Sequence, residues 1–238
     1  MLTIASYNIH KAVGADGRHN PERILDVLDE LGAAVALLQE ADTRFGVRTA
    51  VLPAALLASR GWQAAPLADQ PRAMGWHGNA VLLRGPVTLA HAARIPLPAL
   101  EPRGAVMVDI IAPHAPHAGA GPRLIRLVGA HLDLSGLWRT RQARAMLAAM
   151  AARPGNPPAL LMGDLNEWRS GGGTIAALAG RLAAVPLPPS FPARLPIGRL
   201  DRVFAHHALK LAAAGVHASP LARQASDHLP IWVGLADD

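Results

Sequence analysis

The sequence predicts an α/β sandwich: a sheet core with helices on its outside. Three observations lead there. Strand-like and helix-like segments alternate along the whole chain, which favours mixed layers over one core. At 238 residues and 51% hydrophobic content, the chain is long enough for one large domain, and residues 1–238 are read as one unit. Its apolar runs repeatedly stop at a polar cluster, as strands do when their ends share one rim.

The elements justify this in order. Leu2–Tyr7, Ala34–Leu38, Ala80–Leu83, Ala105–Ile111, Leu124–Ala130, Ala159–Met162, Arg202–Ala205 and Ile231–Leu235 read as strands from apolar or alternating pattern. Asn20-Pro21 is an N-cap followed by proline at the first helical position; Ile24, Leu28 and Leu31 follow at helical spacing until Gly32. Trp138 to Ala152 places Met146, Leu147 and Met150 on a helix ended by Pro154-Gly155, and Thr174 to Leu182 is a shorter one. The Pro-rich stretches 96–102, 113–122, 154–158 and 186–196 read as surface connections. His114 and His117 lie in the second of these, where a hairpin tip is the plainer reading than a metal site.

Composition excludes several classes. There is no cysteine, hence no disulfide, thiolate metal site or cysteine nucleophile. The N-terminus lacks the basic and apolar regions of a signal peptide. No run reaches the roughly 18 apolar residues of a membrane span. A soluble, cytoplasmic protein is the expectation. The net charge of +6 comes almost wholly from arginines scattered along the chain, with lysine only at Lys11 and Lys210. Such a charge permits an anionic substrate without specifying one.

The polar strand ends are the chemically informative part. "TIASYNIH" stops at Asn8, "VALLQEAD" at Gln39-Glu40, "LIRLVGAHLD" at His131 and Asp133, and "ALLMGDLNEW" at Asp164 and Asn166. Near the C-terminus Asp201 and Asp227-His228 precede apolar runs instead. Antiparallel pairing sets the ends of some strands beside the starts of others, so all six clusters can gather at one rim. Taken singly, each has a plain explanation: Asn8 as a turn residue, Glu40 as a solvated strand end, His131 as a structural histidine. Six together are hard to explain separately. Oxygen donors without cysteine suit a hard cation, Mg²⁺ or Mn²⁺, and two histidines beside such a site suit phosphoryl-oxygen chemistry.

These segments, "YNIH", "LLQEAD", "GNAVLLR", "GAHLDL", "MGDLNEW", "RLDRVF" and "SDHLP", resemble in order the endonuclease/exonuclease/phosphatase superfamily from Tyr7 to Leu235. "GDLN" with a downstream "SDHLP" is the specific part. "NIHK", "EPRGA" and "SFPARLP" resemble its small bacterial branch. The resemblance implies a deoxyribonuclease I-like four-layer α/β sandwich, two packed, mostly antiparallel β-sheets flanked by helices. It implies a metal held by Glu40, with Asn8 beside it and Asp227 completing the sphere. It implies that Asp164 and Asn166 orient the attacking water and contact the phosphate. Asp201 and His228 match an acid–imidazole dyad, His131 a second histidine, and Asn79 a position near the phosphate. The implied reaction is in-line attack of water, with Asp164, with or without His228, activating it; His131 or a metal-bound water protonates the leaving oxygen.

Departures from the family's branches narrow the substrate. The repair-nuclease "YxPN" segment is missing, and "RLDR" and "GDLNEW" stand where inositol phosphatases carry other signatures. The expected partner is a small or lipid-type phosphodiester. A nuclease is the alternative, and an inactive binding module is third, because every expected catalytic position holds a competent residue. Nucleic acid is not favoured, since clustered basic residues with interleaved aromatics are missing. Lys11, Arg103, Arg194 and Arg199 lie in loops beside the motifs. Each alone is ordinary solvated charge; Arg103 and Arg194 are the pair expected to grip the non-reacting part of an anionic substrate.

Overall fold

The computed structural model of the chain describes residues 1–43, 46–99, 103–112 and 123–236. Its elements run β1 (Leu2–Asn8), α1 (Pro21–Glu30), β2 (Val35–Gln39), α2 (Ala54–Ser59), β3 (Gln63–Ala64), β4 (Ala80–Leu83), β5 (Thr88–Pro96), β6 (Gly104–Ala112) and β7 (Arg123–His131). Then come α3 (Gly136–Ala152), β8 (Ala159–Asp164), α4 (Gly173–Ala179), β9 (Ala183–Val185), β10 (Asp201–Ala205), β11 (Leu211–Val216), α5 (Pro220–Ala225) and β12 (Ile231–Leu235).

The strands form two six-stranded sheets, in the orders β11-β12-β1-β2-β4-β3 and β5-β6-β7-β8-β10-β9. Among the described residues only β1/β2 and β7/β8 pair in parallel. Three apolar clusters define four layers. Ile4, Val35 and Leu37 meet Val106, Val108 and Leu160 between the sheets. Tyr7, Ala36 and Leu38 face Leu25, Leu28, Leu57 and Ala222 of helices α1, α2 and α5. Met107, Val128 and Leu161 face Met146 and Leu178 of α3 and α4. Central strands are thus covered on both faces, which is why they read as continuous apolar runs and not as strict alternation.

The local signals explain the boundaries that the sequence announces. The Asn20 side chain accepts the Arg23 amide at 3.1 Å, Pro21 opens α1, and Gly32 ends it at φ 59°. Four strands carry no clear sequence signal: β5, β11 and the short β3 and β9. β5 and β11, "TLAHAARIP" and "LAAAGV", are Ala-rich edge strands, half-exposed and weak in β-propensity. Pairing with β6 and β12 alone sets them. The helix expected from Thr174 to Leu182 ends at Ala179, and the one expected from Trp138 starts two residues earlier.

The segment 186–196 needs correction as a mere surface connection. Ser190 and Ala193 are buried, and Ala193 donates its amide to Asp227 O at 2.7 Å. The segment is pinned against the strand ends because its backbone finds partners there. The stretch 113–122, with His114 and His117, lies outside the described residues. Among the described residues no helix is long and apolar enough to cross a membrane.

Candidate active site

Strand register assembles the site. Across the second sheet, Gly104 pairs with His131, His131 with Asp164, and Asp164 with Asp201. Three chemically competent side chains therefore stand in one row at the ends of β7 and β8 and the start of β10. In the first sheet Asn8 pairs with Gln39 at the ends of β1 and β2. Glu40 follows with φ 55° and Asn166 with φ 51°, left-handed conformations that re-aim the chain just past a strand.

The two sheets meet at Asp164. Its Oδ2 accepts Asn8 Nδ2 at 3.0 Å, and its Oδ1 accepts the Asn166 amide at 3.0 Å. Asn166 Nδ2 donates to Leu132 O at 2.9 Å, which fixes that turn. His131 Nε2 lies 3.5 Å and His228 Nε2 3.7 Å from the same Asp164 Oδ2. All these side chains are buried.

Behind His228 sits a carboxylate. His228 Nδ1 is 2.9 Å from Asp201 Oδ2, and Ser190 Oγ donates to that same oxygen in a short bond. Ser226 Oγ donates to Asn8 O at 2.7 Å, tying the start of the "SDHLP" turn to β1. The Phe191 ring packs 4.7 Å from the His228 ring.

The two histidines are driven apart in protonation. Burial works against a charge on His228, but the contact with Asp201, helped by Asp164 and Asp227, raises it to about 10. Burial dominates at His131 and lowers it to about 4; Arg103 adds to that, against Asp164 and Glu40. Arg103 NH1 lies 2.8 Å from His131 Nε2, where a neutral ring accepts the guanidinium's hydrogen bond. Opposed shifts around one carboxylate separate a proton-holding group from a proton-free one.

Glu40 lines an open cleft with Lys11, His77, Arg103 and His131. Burial pushes its carboxyl up, but His131, Lys11 and His10 outweigh that and hold it below the ordinary range. The Lys11 ammonium makes a short hydrogen bond to Glu40 Oε2. Lys11 gets there on a tight turn in which His10, Lys11 and Ala12 all have positive φ, at 44°, 55° and 56°.

The donor set fits a hard divalent cation. Glu40 is a partly buried carboxylate already neutralised by a cation, and Asn8 adds an amide oxygen, which accepts the His10 amide at 3.1 Å. Asp227 is half-exposed, with Oδ1 3.9 Å from His10 Nδ1. Asp164, Asp201 and His228 also present ligand-type atoms within 4.8 Å of one another. There, however, Asp201 Oδ2 is taken by His228 and Ser190, so the trio has the form of a proton-holding chain, and Glu40 is a carboxylate that could hold a cation.

The remaining sequence candidates divide. Arg103 reaches the cluster. Asn79 is fully buried and donates to Gly104 O at 2.9 Å, bracing the β6 end beneath His131. Arg194 is exposed and donates to Ala15 O at 3.0 Å. Arg199 donates to Leu187 O at 3.0 Å. Sequence reasoning missed Ser190 and Phe191, although both lie in the "SFPARLP" stretch; nothing local says that the serine faces Asp201.

Comparison with known proteins agrees with this fold. The sequence model of the Endonuclease/Exonuclease/phosphatase family matches residues 5–228. The chain is 30% identical over 166 residues to the uncharacterized protein YbhP of Escherichia coli (strain K12), covering 66% of this chain and 62% of that protein's length. An endonuclease/exonuclease/phosphatase structure from Bacteroides vulgatus superposes with a TM-score of 0.76 at 14% identity, over 100% of this chain and 99% of that one. The Bacteroides thetaiotaomicron mannosyl-6-phosphatase Bt3783 superposes with a TM-score of 0.72 at 18% identity, over 99% and 100%. The family comprises phosphoesterases and nucleases, divalent-metal-dependent hydrolases of phosphate esters. With its two mixed sheets, its sandwiched core and a sequence match along nearly its whole length, the chain belongs to the endonuclease/exonuclease/phosphatase family.

Proposed function

We propose that the chain is a divalent-metal-dependent phosphoesterase that cleaves a phosphodiester of a small or lipid-type substrate by in-line attack of water. The observation that carries this reading is the convergence of His131 and His228 on one oxygen of Asp164, with the Asp201 carboxylate behind His228.

Each residue has a role in this reading. Asp164, fixed by Asn8 and the Asn166 amide, orients a water and takes its proton. His228, held charged by Asp201, turns Nε2 toward the phosphoryl oxygens as their charge grows. Ser190 keeps Asp201 in place. Arg103 and Lys11 add fixed positive charge at the cleft. A Mg²⁺ or Mn²⁺ ion held by Glu40, Asn8 and Asp227 supplies further charge neutralisation when bound.

The test is a panel assay with Mg²⁺ or Mn²⁺ on bis-p-nitrophenyl phosphate, p-nitrophenyl phosphate, a phospholipid, RNA and supercoiled plasmid. Preference for the diester or the phospholipid, lost in His228→Ala, supports the reading. Efficient plasmid nicking at about 0.15 M salt, where weak electrostatic binding to DNA is screened, replaces it with a nuclease. A preference for the monoester replaces it with a phosphatase like the Bacteroides neighbour.

A further inference from the structure

Five of the eight exposed large hydrophobic side chains among the described residues fall in three segments: Leu134 (67%), Leu137 (61%), Trp168 (59%), Leu195 (73%) and Ile197 (72%). The segments form one rim. Arg139, in α3 just past Leu137, pairs with Glu167 at 3.3 Å, next to Trp168. Gly173 packs so closely on Thr140 that a Cβ would lie 2.8 Å from its Oγ1. The Trp168 ring meets Phe191 edge-on at 6.2 Å, and Gly198 lies beneath it, where a Cβ would sit 2.9 Å from Cζ3. Phe191 in turn packs on His228, so the rim borders the Asp164 cluster.

Charge in these segments has one sign. Residues 134–144, 168–173 and 186–199 contain no aspartate or glutamate. Arg141, Arg144, Arg169, Arg194 and Arg199 are exposed within them. Exposed leucine, isoleucine and tryptophan interspersed with arginine suit an interface with apolar depth and a negative surface. Four of the five apolar groups are aliphatic and cannot stack on bases as a nucleic-acid platform requires.

We propose that this rim docks the protein on an anionic phospholipid surface, with Leu134, Leu137, Trp168, Leu195 and Ile197 entering the headgroup–acyl boundary. The inference rests on the phosphoesterase reading in one respect: the surface would present a phosphodiester headgroup to the cluster bordered by Phe191. Docking itself needs neither turnover nor metal.

Co-sedimentation in EDTA at about 0.15 M salt tests it, with vesicles of phosphatidylglycerol and phosphatidylcholine in equal parts against phosphatidylcholine alone. The protein should sediment with the anionic vesicles. Leu195→Ser/Ile197→Ser should weaken this roughly a hundredfold or more, the effect of removing two apolar side chains from a buried position, while hydrolysis of soluble bis-p-nitrophenyl phosphate stays unchanged. Leu134→Ser/Leu137→Ser, on the far side of the rim, should weaken it likewise; unchanged melting temperatures confirm that both variants fold. Absent vesicle binding, binding unaffected by both variants, or equal binding to phosphatidylcholine alone overturns the proposal. A duplex oligonucleotide that displaces the protein from vesicles, through binding lost in the same variants, overturns it in favour of nucleic acid. Failure of the soluble-diester assay with vesicle binding intact would defeat the enzymatic reading and leave the docking surface standing.

Discussion

His131 and His228 approach the same oxygen of Asp164, at 3.5 and 3.7 Å, and hold opposite protonation states near neutral pH. Their partners explain the difference. Asp201 stands behind His228 as a counter-charge, while Arg103 stands beside His131 and repels a second positive charge.

Stability should follow these shifts with opposite signs. His228 is raised from 6.5 to about 10, so its contribution is complete below pH 6.5 and is lost as pH rises through about 10. His131 is lowered from 6.5 to about 4, so its contribution is complete above pH 6.5 and is lost as pH falls through about 4. The melting temperature in EDTA should therefore peak near pH 6.5. His228→Gln should flatten the alkaline limb and His131→Gln the acid limb. Thermal unfolding from pH 4 to 10 checks this, and an alkaline limb unchanged in His228→Gln would refute it.

Asp201 and His228 should act as a unit. His228→Ala should cost roughly 10²–10⁴-fold in kcat. The double variant Asp201→Asn/His228→Ala should be little worse than His228→Ala alone, because Asp201 works through the ring. Losses that add in log rate would show independent roles.

Glu40 and Lys11 should move metal affinity in opposite directions. Glu40→Gln removes the charged oxygen and should weaken Mn²⁺ binding by at least about tenfold. Lys11→Met removes the ammonium that competes for that carboxylate and should strengthen it. Calorimetric titration with Mn²⁺ reads both, and EDTA should abolish hydrolysis. Equal Mn²⁺ affinity in Glu40→Gln and the unaltered protein would move the cation elsewhere.

Stability should also depend on a pair away from the site. Arg126 Nε donates to Asp109 Oδ1 at 2.8 Å, both buried, and Arg126 NH1 donates to Met150 O at 2.9 Å. Asp109→Ala leaves the guanidinium buried without this carboxylate and should cost about 3 kcal/mol or more. Activity per folded molecule should be unchanged. Urea unfolding beside a diester assay separates the two effects.

The sequence by itself determined the central strands, α1 and the identity of the polar strand ends. Apolar runs covered on two faces leave a local imprint, and so do an Asn-Pro cap and a glycine stop. Asn8, Glu40, His131, Asp164, Asn166, Asp201 and His228 were therefore legible as a set. Tertiary structure alone decided how they pair. That Asp164 stands between His131 and Asp201 is a matter of register across β7, β8 and β10, and register joins residues far apart in the chain. The same reason hides Ser190 behind Asp201, turns Asn79 inward to Gly104 and hangs Arg194 on Ala15. Strands β5 and β11 went unread because alanine at an edge is ordered by its neighbour's hydrogen bonds and not by its own side chain.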